Sequence, residues 1–253
     1  MSESRTSQFG ARLLGVGLTA ALAAVTIALT LTGQLGLYIN PESAWFAVTM
    51  AIVALLGTIA SFALPLGAES DHGHDHGDAH DHAESAHRPS AAGVIATVTG
   101  GVLATGTALA IVLTPPATLS AELAISRDTG TAPLFQGSDT IALAATGDTA
   151  AFGVGEWASV FATATNPEAF DGDEITLTGF VTPGGDGFDL TRLVITHCVI
   201  DAQPASVPIA VSDAPDTGTW VTVTGTIRDV DGRLQIDAAS VAVVDQPKDP
   251  YEY

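Results

Sequence analysis

The sequence predicts a membrane protein in which three transmembrane α-helices precede an extracellular, mostly-β domain, built as a small OB-like five-stranded barrel. Two observations predict this: three long apolar runs without ionisable residues before Pro115, and an alternation of apolar and polar residues with period two after Asp173. The predicted divisions are residues 1–12 (cytoplasmic N-terminus), 13–113 (three-span membrane region with a His-rich cytoplasmic loop at 67–90), 114–155 (extracellular linker), 156–245 (OB-like domain) and 246–253 (tail).

Composition limits the classes of function. The 253 residues carry a formal charge of −20, with only eight Lys and Arg. Such an acidic chain repels phosphate backbones, so we expect no nucleic-acid partner. The single cysteine, Cys198, excludes an intramolecular disulfide. The chain also lacks a Gly-rich phosphate loop, a nucleophile elbow and a helical histidine pair, which indicates that the protein is not an enzyme.

Three apolar runs approach the length that crosses the ~30 Å hydrocarbon core of a bilayer. They are Leu13–Leu31, Ala44–Leu66 and Ala91–Leu113. The first exceeds the ~7–15-residue core of a signal peptide, so we expect it to be retained. In the third, small residues recur every four positions, at Gly93, Thr97, Gly101 and Thr105. Such a ridge favours close helix packing in lipid, either against the first two helices or against a partner.

Positive charges beside the runs predict the orientation in the cell membrane. Arg5 and Arg12 precede the first run and Arg88 precedes the third, whereas the first loop has no Lys or Arg. We therefore expect the amino terminus and the His-rich loop in the cytoplasm, and everything after Leu113 outside. Because an ion that crosses a bilayer needs compensating charges at depth, the uncharged spans indicate an accessory subunit rather than a conducting path.

A hydrophilic tract after the second run contains six of the seven histidines. The candidate metal ligands are the imidazoles of His72, His74, His76, His80, His82 and His87 and the carboxylates of Asp71, Asp75, Asp78 and Asp81. Neutral imidazole is the commonest protein ligand for zinc, copper and nickel, and carboxylates add oxygen ligands. We therefore expect a divalent transition metal here, such as zinc, copper or nickel. The alternative is a solvated loop without metal.

Strand patterns dominate the outer half of the chain, after an Ala/Thr/Gly/Pro-rich stretch. A short helix is expected over Glu156–Thr165, where apolar residues recur at helical spacing. Five strands rich in Val, Ile and Thr should follow, separated by turn residues such as Asp231-Gly232. They cover residues 175–181, 188–200, 207–211, 220–227 and 234–244. Five short strands with a hairpin at each end indicate a barrel of the OB type.

His197, Cys198 and Asp201 form a second candidate metal site at the end of the second predicted strand. An imidazole, a thiol and a carboxylate suit zinc or copper. In an extended strand His197 and Asp201 share a face while Cys198 points the opposite way, so joint coordination requires a bulge or a bend. The alternative is a buried cysteine that packs beside a hydrogen-bonded histidine.

Several short motifs in a fixed order resemble the YcgQ-like permease subunits of Gram-positive bacteria. They are Y-I-N (Tyr38–Asn40), the His/Asp-rich loop, E-I-x-L-x-G-F (Glu174–Phe180), R-L-V-I-T-H-C-V-I-D (Arg192–Asp201), W-V-T-V-T-G-T (Trp220–Thr226) and D-P-Y-E-Y (Asp249–Tyr253). The resemblance implies a larger multi-span permease as partner and a link with zinc-responsive genes. Some relatives have two adjacent cysteines in place of His197-Cys198 and further cysteines in the loop. Their absence here argues against copper(I)-like selectivity.

Together these features predict an accessory subunit of a membrane permease complex that handles a divalent transition metal, with zinc preferred. The cytoplasmic loop would gather or sense ions through many weak sites, while the outer barrel contacts the permease or the ion. The alternative is a membrane-anchored extracellular ligand-binding or envelope-sensing module with no transport role. In that case the spans are a tether and the histidines are incidental.

Overall fold

A computed structural model describes residues 2–63, 99–103, 106, 107, 110, 114, 117–128, 149 and 151–253. The chain divides into two compact units, residues 1–35 with 44–116 and residues 36–43 with 117–253. The ten candidate ligands of the His/Asp tract, most of the third apolar run and most of the predicted linker lie outside the described residues. What the sequence predicts for those segments stays a prediction.

In the first unit, helices α1 (Ser2–Leu31) and α2 (Ala44–Ala63) pack against each other. Small side chains form the contact: Ala23 and Ala51 are buried, whereas Leu56 and Ile59 are more than half exposed. Small residues let two helix backbones approach closely in lipid. The exposed face of α2 therefore carries large apolar side chains.

One helical stretch among the described residues, Pro41–Ser61, is long and apolar enough to cross a membrane. A shorter apolar helical stretch, Gly15–Leu31, lies in α1. The third predicted span is described only in part, with residues 99–103 helical. The described residues thus support one of the three predicted transmembrane helices, and the full set of three is not supported.

The second unit is built around a five-stranded mixed β-barrel, which confirms the barrel predicted from the sequence. The strands are β1 (Glu174–Pro183), β2 (Gly187–Val194), β3 (Gln203–Ala210), β4 (Trp220–Val230) and β5 (Arg233–Val243). Antiparallel ladders join β1 to β4, β4 to β5, β1 to β2 and β2 to β3. A parallel pairing of β3 with β5 closes the ring. This closed ring of five strands is OB-like.

Alternate residues of the strands fill the barrel, as the period-two pattern requires. Phe188 and Leu190 of β2 are buried, and on the opposite face of β1 and β4 the hydroxyls of Thr176 and Thr224 pair across the strands at 3.2 Å. The β4–β5 hairpin turns at Asp231-Gly232, where φ is 54° and 81°. Two successive positive φ angles give the type I′ turn that suits a two-residue hairpin.

Two helices pack on the barrel, α3 (Ala121–Arg127) and α4 (Val154–Thr163). The position of α4 agrees with the predicted short helix, whose Trp157 is buried in the barrel core. By contrast, α3 lies in the segment that the sequence assigned to an extended linker. Its N-terminal signal is Ser120, whose hydroxyl accepts a hydrogen bond from the N–H of Leu123 (3.4 Å) and so caps the helix.

Two further features differ from the prediction. β2 ends at Val194 rather than at Ile200, and the chain then bends into a short 3-10 turn over Val199–Asp201. The residues predicted as a tail contribute a sixth strand, β6 (Tyr251–Glu252), which pairs in parallel with β2. The sixth strand arises from contacts between residues far apart in the sequence, whereas the turn after β2 has both a local contact, from Asp201, and a distant one, from Asn40.

Candidate functional site

The described candidate ligands lie in the turn that follows β2. The Asp201 carboxylate accepts hydrogen bonds from the backbone N–H groups of His197 (2.9 Å) and Cys198 (3.3 Å). Its Oδ2 also lies 3.1 Å from Nδ1 of the His197 imidazole. Because a side-chain carboxylate replaces a strand partner for these N–H groups, the chain turns here instead of continuing as an extended strand.

The turn brings His197 and Asp201 together as a pair. The His197 side chain is 80% exposed, and a carboxylate at Nδ1 is the arrangement that orients metal-binding histidines. The half-buried Cys198 contributes its backbone N–H to Asp201. Within the part of the chain that the structure describes, no three His, Cys, Asp or Glu side chains form a group that could hold a metal. A zinc ion here would therefore need ligands from elsewhere, because zinc usually takes three or four.

Asn40, which precedes α2, holds the same turn from its other side. Its backbone N–H donates to the carbonyl of His197 (2.9 Å), and its side-chain amide donates to the carbonyls of Thr196 (3.1 Å) and Ile195 (3.4 Å). Its Oδ1 accepts a hydrogen bond from the N–H of Glu42 (2.8 Å). Asn40 is only 6% exposed, so these bonds replace those that water would otherwise supply.

Two backbone contacts join the residues just before Asn40 to the same turn. Ile39 and Cys198 form an isolated antiparallel bridge, and the N–H of Val199 donates to the carbonyl of Tyr38 (3.0 Å). The connection between α1 and α2 is therefore part of the barrel unit. The sequence Y-I-N-P predicts a turn at Asn40, because Pro41 disfavours helical geometry there, but it does not predict the contact of Asn40 with the barrel.

A second polar centre that sequence analysis missed lies where β6 meets β2. Arg192 is 8% exposed, and its Nη2 donates to the carbonyls of Asp249 (3.1 Å) and Tyr251 (3.0 Å). Its guanidinium lies 5.1 Å from the centre of the Trp220 ring, within the range of a cation–π contact. Its Nε lies 3.7 Å from Oε1 of Glu252, close enough for an ion pair but too far for a hydrogen bond.

Burial dominates the electrostatics of this centre. It lowers the pKa of Arg192 despite the nearby Glu252, and it raises the pKa of Glu252 despite the hydrogen bonds from Gly155 and Val154 and the charge of Arg192. A desolvated pair of this kind is costly to break, because removing one partner leaves the other charge buried alone.

A small cavity of about 80 Å³ lies between α3 and strands β1 to β3. Its wall carries a row of hydroxyls, in which Thr191 is hydrogen-bonded to Thr182 (2.7 Å) and to Ser206 (2.8 Å). Burial, followed by the charge of Asp128, raises the pKa of the nearby Asp189. Because ligand pockets are usually ~300–1,000 Å³, this cavity is too small to be a substrate site.

The structure defines a class of protein in which an OB-like β-barrel unit is joined to a unit with an apolar helix of membrane-spanning length. The chain belongs to the DUF1980 family: the DUF1980 N-terminal domain matches residues 16–129 and the DUF1980 C-terminal domain matches residues 156–253. The second match includes Asp249–Tyr253, which accords with the place of β6 beside the barrel. No curated protein and no solved structure matches the chain.

Proposed function

We propose that the protein is an accessory subunit of a membrane permease complex that handles a divalent transition metal, with Zn²⁺ as the preferred ion. The observation that carries the proposal is the position of the His/Asp tract. Six imidazoles and four aspartates between Asp71 and His87 follow the membrane-length helix Pro41–Ser61 in the sequence. A tract tethered there would hold many weak metal ligands close to the bilayer, where a transporter takes up or releases its ion.

The proposed topology has three membrane crossings, with the tract in the cytoplasm and the barrel outside. The orientation follows from Arg5, Arg12 and Arg88 under the positive-inside rule. The apolar stretch Gly15–Leu31 of α1, which packs against α2, would be one of the other two crossings. Because the apolar runs hold no ionisable side chain, the ion path itself belongs to a larger multi-span partner. The resemblance to YcgQ-like permease subunits supports the same partner.

The turn after β2 would supply a contact on the outer side of the membrane. His197 is exposed and oriented through Nδ1 by Asp201, so its imidazole is available to an ion or to the partner. This pair is incomplete as a zinc site, and the permease would provide the remaining ligands. The turn is held by Asn40, so this contact would lie on the same unit as the residues that lead into α2.

Zinc titration calorimetry and metal analysis of the full-length protein in detergent test the tract. The wild type should bind several Zn²⁺ ions with modest affinity, and a variant with all six tract histidines changed to Ala should retain one or none. His197→Ala is the matched control, since it removes an exposed imidazole outside the tract and should remove at most one ion. A six-histidine variant that binds as many ions as the wild type would refute the proposal.

A second candidate is a membrane-anchored extracellular module that binds a ligand or senses the envelope. It is favoured by the inclusion of the α1–α2 connection in the barrel unit, where Asn40 and Ile39 contact the turn after β2. A change in the barrel would then act on the residues that immediately precede α2. Deleting residues 67–90 separates the two candidates. Altered zinc tolerance of the cells supports transport, whereas unchanged tolerance supports the tethered module.

A further inference from the structure

The turn after β2 is attached to the residues that lead directly into the membrane-length helix. Asn40 donates hydrogen bonds to the carbonyls of Thr196 and His197, and it immediately precedes Pro41, the first residue of the helical stretch Pro41–Ser61. Consecutive Cα atoms are only about 3.8 Å apart. Where this stretch enters a bilayer, the turn is therefore held within a few residues' length of the surface of that bilayer.

One end of the barrel contains this attachment, and the β4–β5 hairpin forms the other end. Leu37 of the α1–α2 connection and Trp220, the first residue of β4, pack against the same cluster of buried side chains, which includes Ile195 just before the turn. Val230 is the last residue of β4. At ~3.3 Å per residue, a strand of this length extends over about 30 Å. The hairpin turn at Asp231-Gly232 therefore lies at the opposite end of β4 from the attachment.

Ile200 is the large apolar side chain that the turn exposes. It is 82% exposed, whereas the neighbouring Val199 packs against the buried cluster at this end of the barrel. A single exposed apolar residue needs no explanation by itself. Ile200 differs because the turn that carries it is attached beside the start of a membrane-length helix, where an apolar side chain leaves water by entering the bilayer.

A guanidinium lies next to Ile200. Nη1 of Arg127, the last residue of α3, donates to the carbonyls of Val199 (3.4 Å) and Ala202 (2.6 Å), on either side of Ile200. The carboxylate within the turn, that of Asp201, accepts hydrogen bonds from two backbone N–H groups. An apolar side chain beside a cation suits a phospholipid surface, because the apolar group enters the acyl boundary while the cation stays near the phosphates.

We propose that the turn after β2 is a lipid contact. The end of the barrel that holds Asn40 rests on the phospholipid surface, with Ile200 in the boundary between headgroups and acyl chains and Arg127 at the phosphates. The β4–β5 hairpin then points away from the membrane. This inference rests on the membrane crossing by Pro41–Ser61 in the proposed topology, and it needs neither a metal nor a permease.

The test uses the full-length protein in nanodiscs of phosphatidylcholine and phosphatidylglycerol. Cys198→Ser removes the native thiol, and an environment-sensitive fluorophore is attached to one introduced cysteine at a time. Ile200→Cys probes the turn, and Val230→Cys, at an exposed valine at the other end of β4, is the matched control. Ile52→Cys, at an exposed position of α2, reports the membrane crossing itself. Lipids with a spin label near the headgroup end of an acyl chain serve as the quencher.

The label on Ile200→Cys should lose about half or more of its fluorescence to the quencher, because an interfacial apolar group lies ~5–10 Å into the boundary of headgroups and acyl chains. It should also emit at a shorter wavelength than the label on Val230→Cys, which the quencher should not affect. The label on Ile52→Cys should be quenched as well.

Two results would overturn the proposal, and they differ in what they say of the topology. If Ile52→Cys is quenched but Ile200→Cys is quenched no more than Val230→Cys, the turn does not lie on lipid, while the proposed crossing stands. If Ile52→Cys is not quenched, α2 does not enter the bilayer, and the inference fails together with the proposed topology.

Discussion

The side-chain amide of Asn40 donates a hydrogen bond of 3.1 Å to the backbone carbonyl of Thr196, 156 residues further along the chain. The residue is buried, and its Oδ1 is occupied by the N–H of Glu42. The side-chain amide nitrogen therefore donates to the turn after β2, while the amide oxygen accepts from Glu42, which lies just before α2. The connection between α1 and α2 depends on this residue for its position on the barrel unit.

Asn40→Ala should destabilise the barrel unit by about 1–3 kcal/mol, because it leaves the buried carbonyl of Ile195 and the partly buried carbonyl of Thr196 without this donor. Asn40→Asp should cost at least as much, since it keeps the acceptor for Glu42 but places a carboxylate against carbonyl oxygens. Guanidinium unfolding of the full-length protein in detergent measures both. Gln34→Ala, at an exposed amide in the same connection, is the control and should change stability by less than about 0.5 kcal/mol. Equal stabilities of Asn40→Ala and the control would contradict this role.

Asp201 should act mainly as a cap for the turn after β2. Asp201→Ala removes the acceptor for the N–H groups of His197 and Cys198 and should cost about 0.5–2 kcal/mol, the range for loss of a capping side chain. Asp201→Asn keeps one acceptor oxygen and should cost less. Chemical denaturation compares these variants with Asp245→Ala, an exposed aspartate in a connection. If the Asn variant is as unstable as the Ala variant, charge rather than capping holds the turn.

The barrel could be predicted from the sequence because each strand carries its own signal. Alternation in Phe188 and Leu190 places apolar side chains on one face, and Asp231-Gly232 marks the hairpin. These signals are local, so one sequence is enough to find them. The closure of the ring is not local, since it rests on the parallel contact of β3 with β5 near Ile209 and Ile236. The closure of the barrel could therefore be expected from the number and order of the strands, but no single stretch of sequence encodes it.

The site was predicted less well because most of its determinants are long-range. β2 stops at Val194 because the nearby Asp201 and the distant Asn40 take the backbone groups of the following residues. Glu252 lies in a stretch too short for any periodicity, and its strand exists only because β2 and Arg192 provide partners. The capped start of α3 at Ser120, by contrast, was a local signal that sequence analysis overlooked.

Leu190 should be among the most sensitive positions of the barrel. It is fully buried in β2, between the paired strands β1 and β3. Leu190→Ala should cost about 2–5 kcal/mol, from lost transfer free energy and the cavity that remains. Val243→Ala, in β5 at a side chain that is 69% exposed, should cost less than about 0.5 kcal/mol. Denaturant unfolding followed by tryptophan fluorescence measures both, and similar losses would show that Leu190 does not lie in the core.

The buried carboxylate of Glu252 should give the stability of the barrel unit a specific dependence on pH. Because burial raises its pKa in the fold above the ordinary 4.5, the protonated form is favoured by folding. This contribution is fully present below pH 4.5 and is lost as the pH rises through the folded pKa. The stability of the wild type relative to Glu252→Gln should therefore fall over that interval. The stability of the wild type relative to Asp189→Asn should also fall as the pH rises, since burial raises the pKa of Asp189 too. Unfolding midpoints at stepped pH measure the difference, and a rise with pH would mean that Arg192 and the N–H groups of α4 outweigh desolvation.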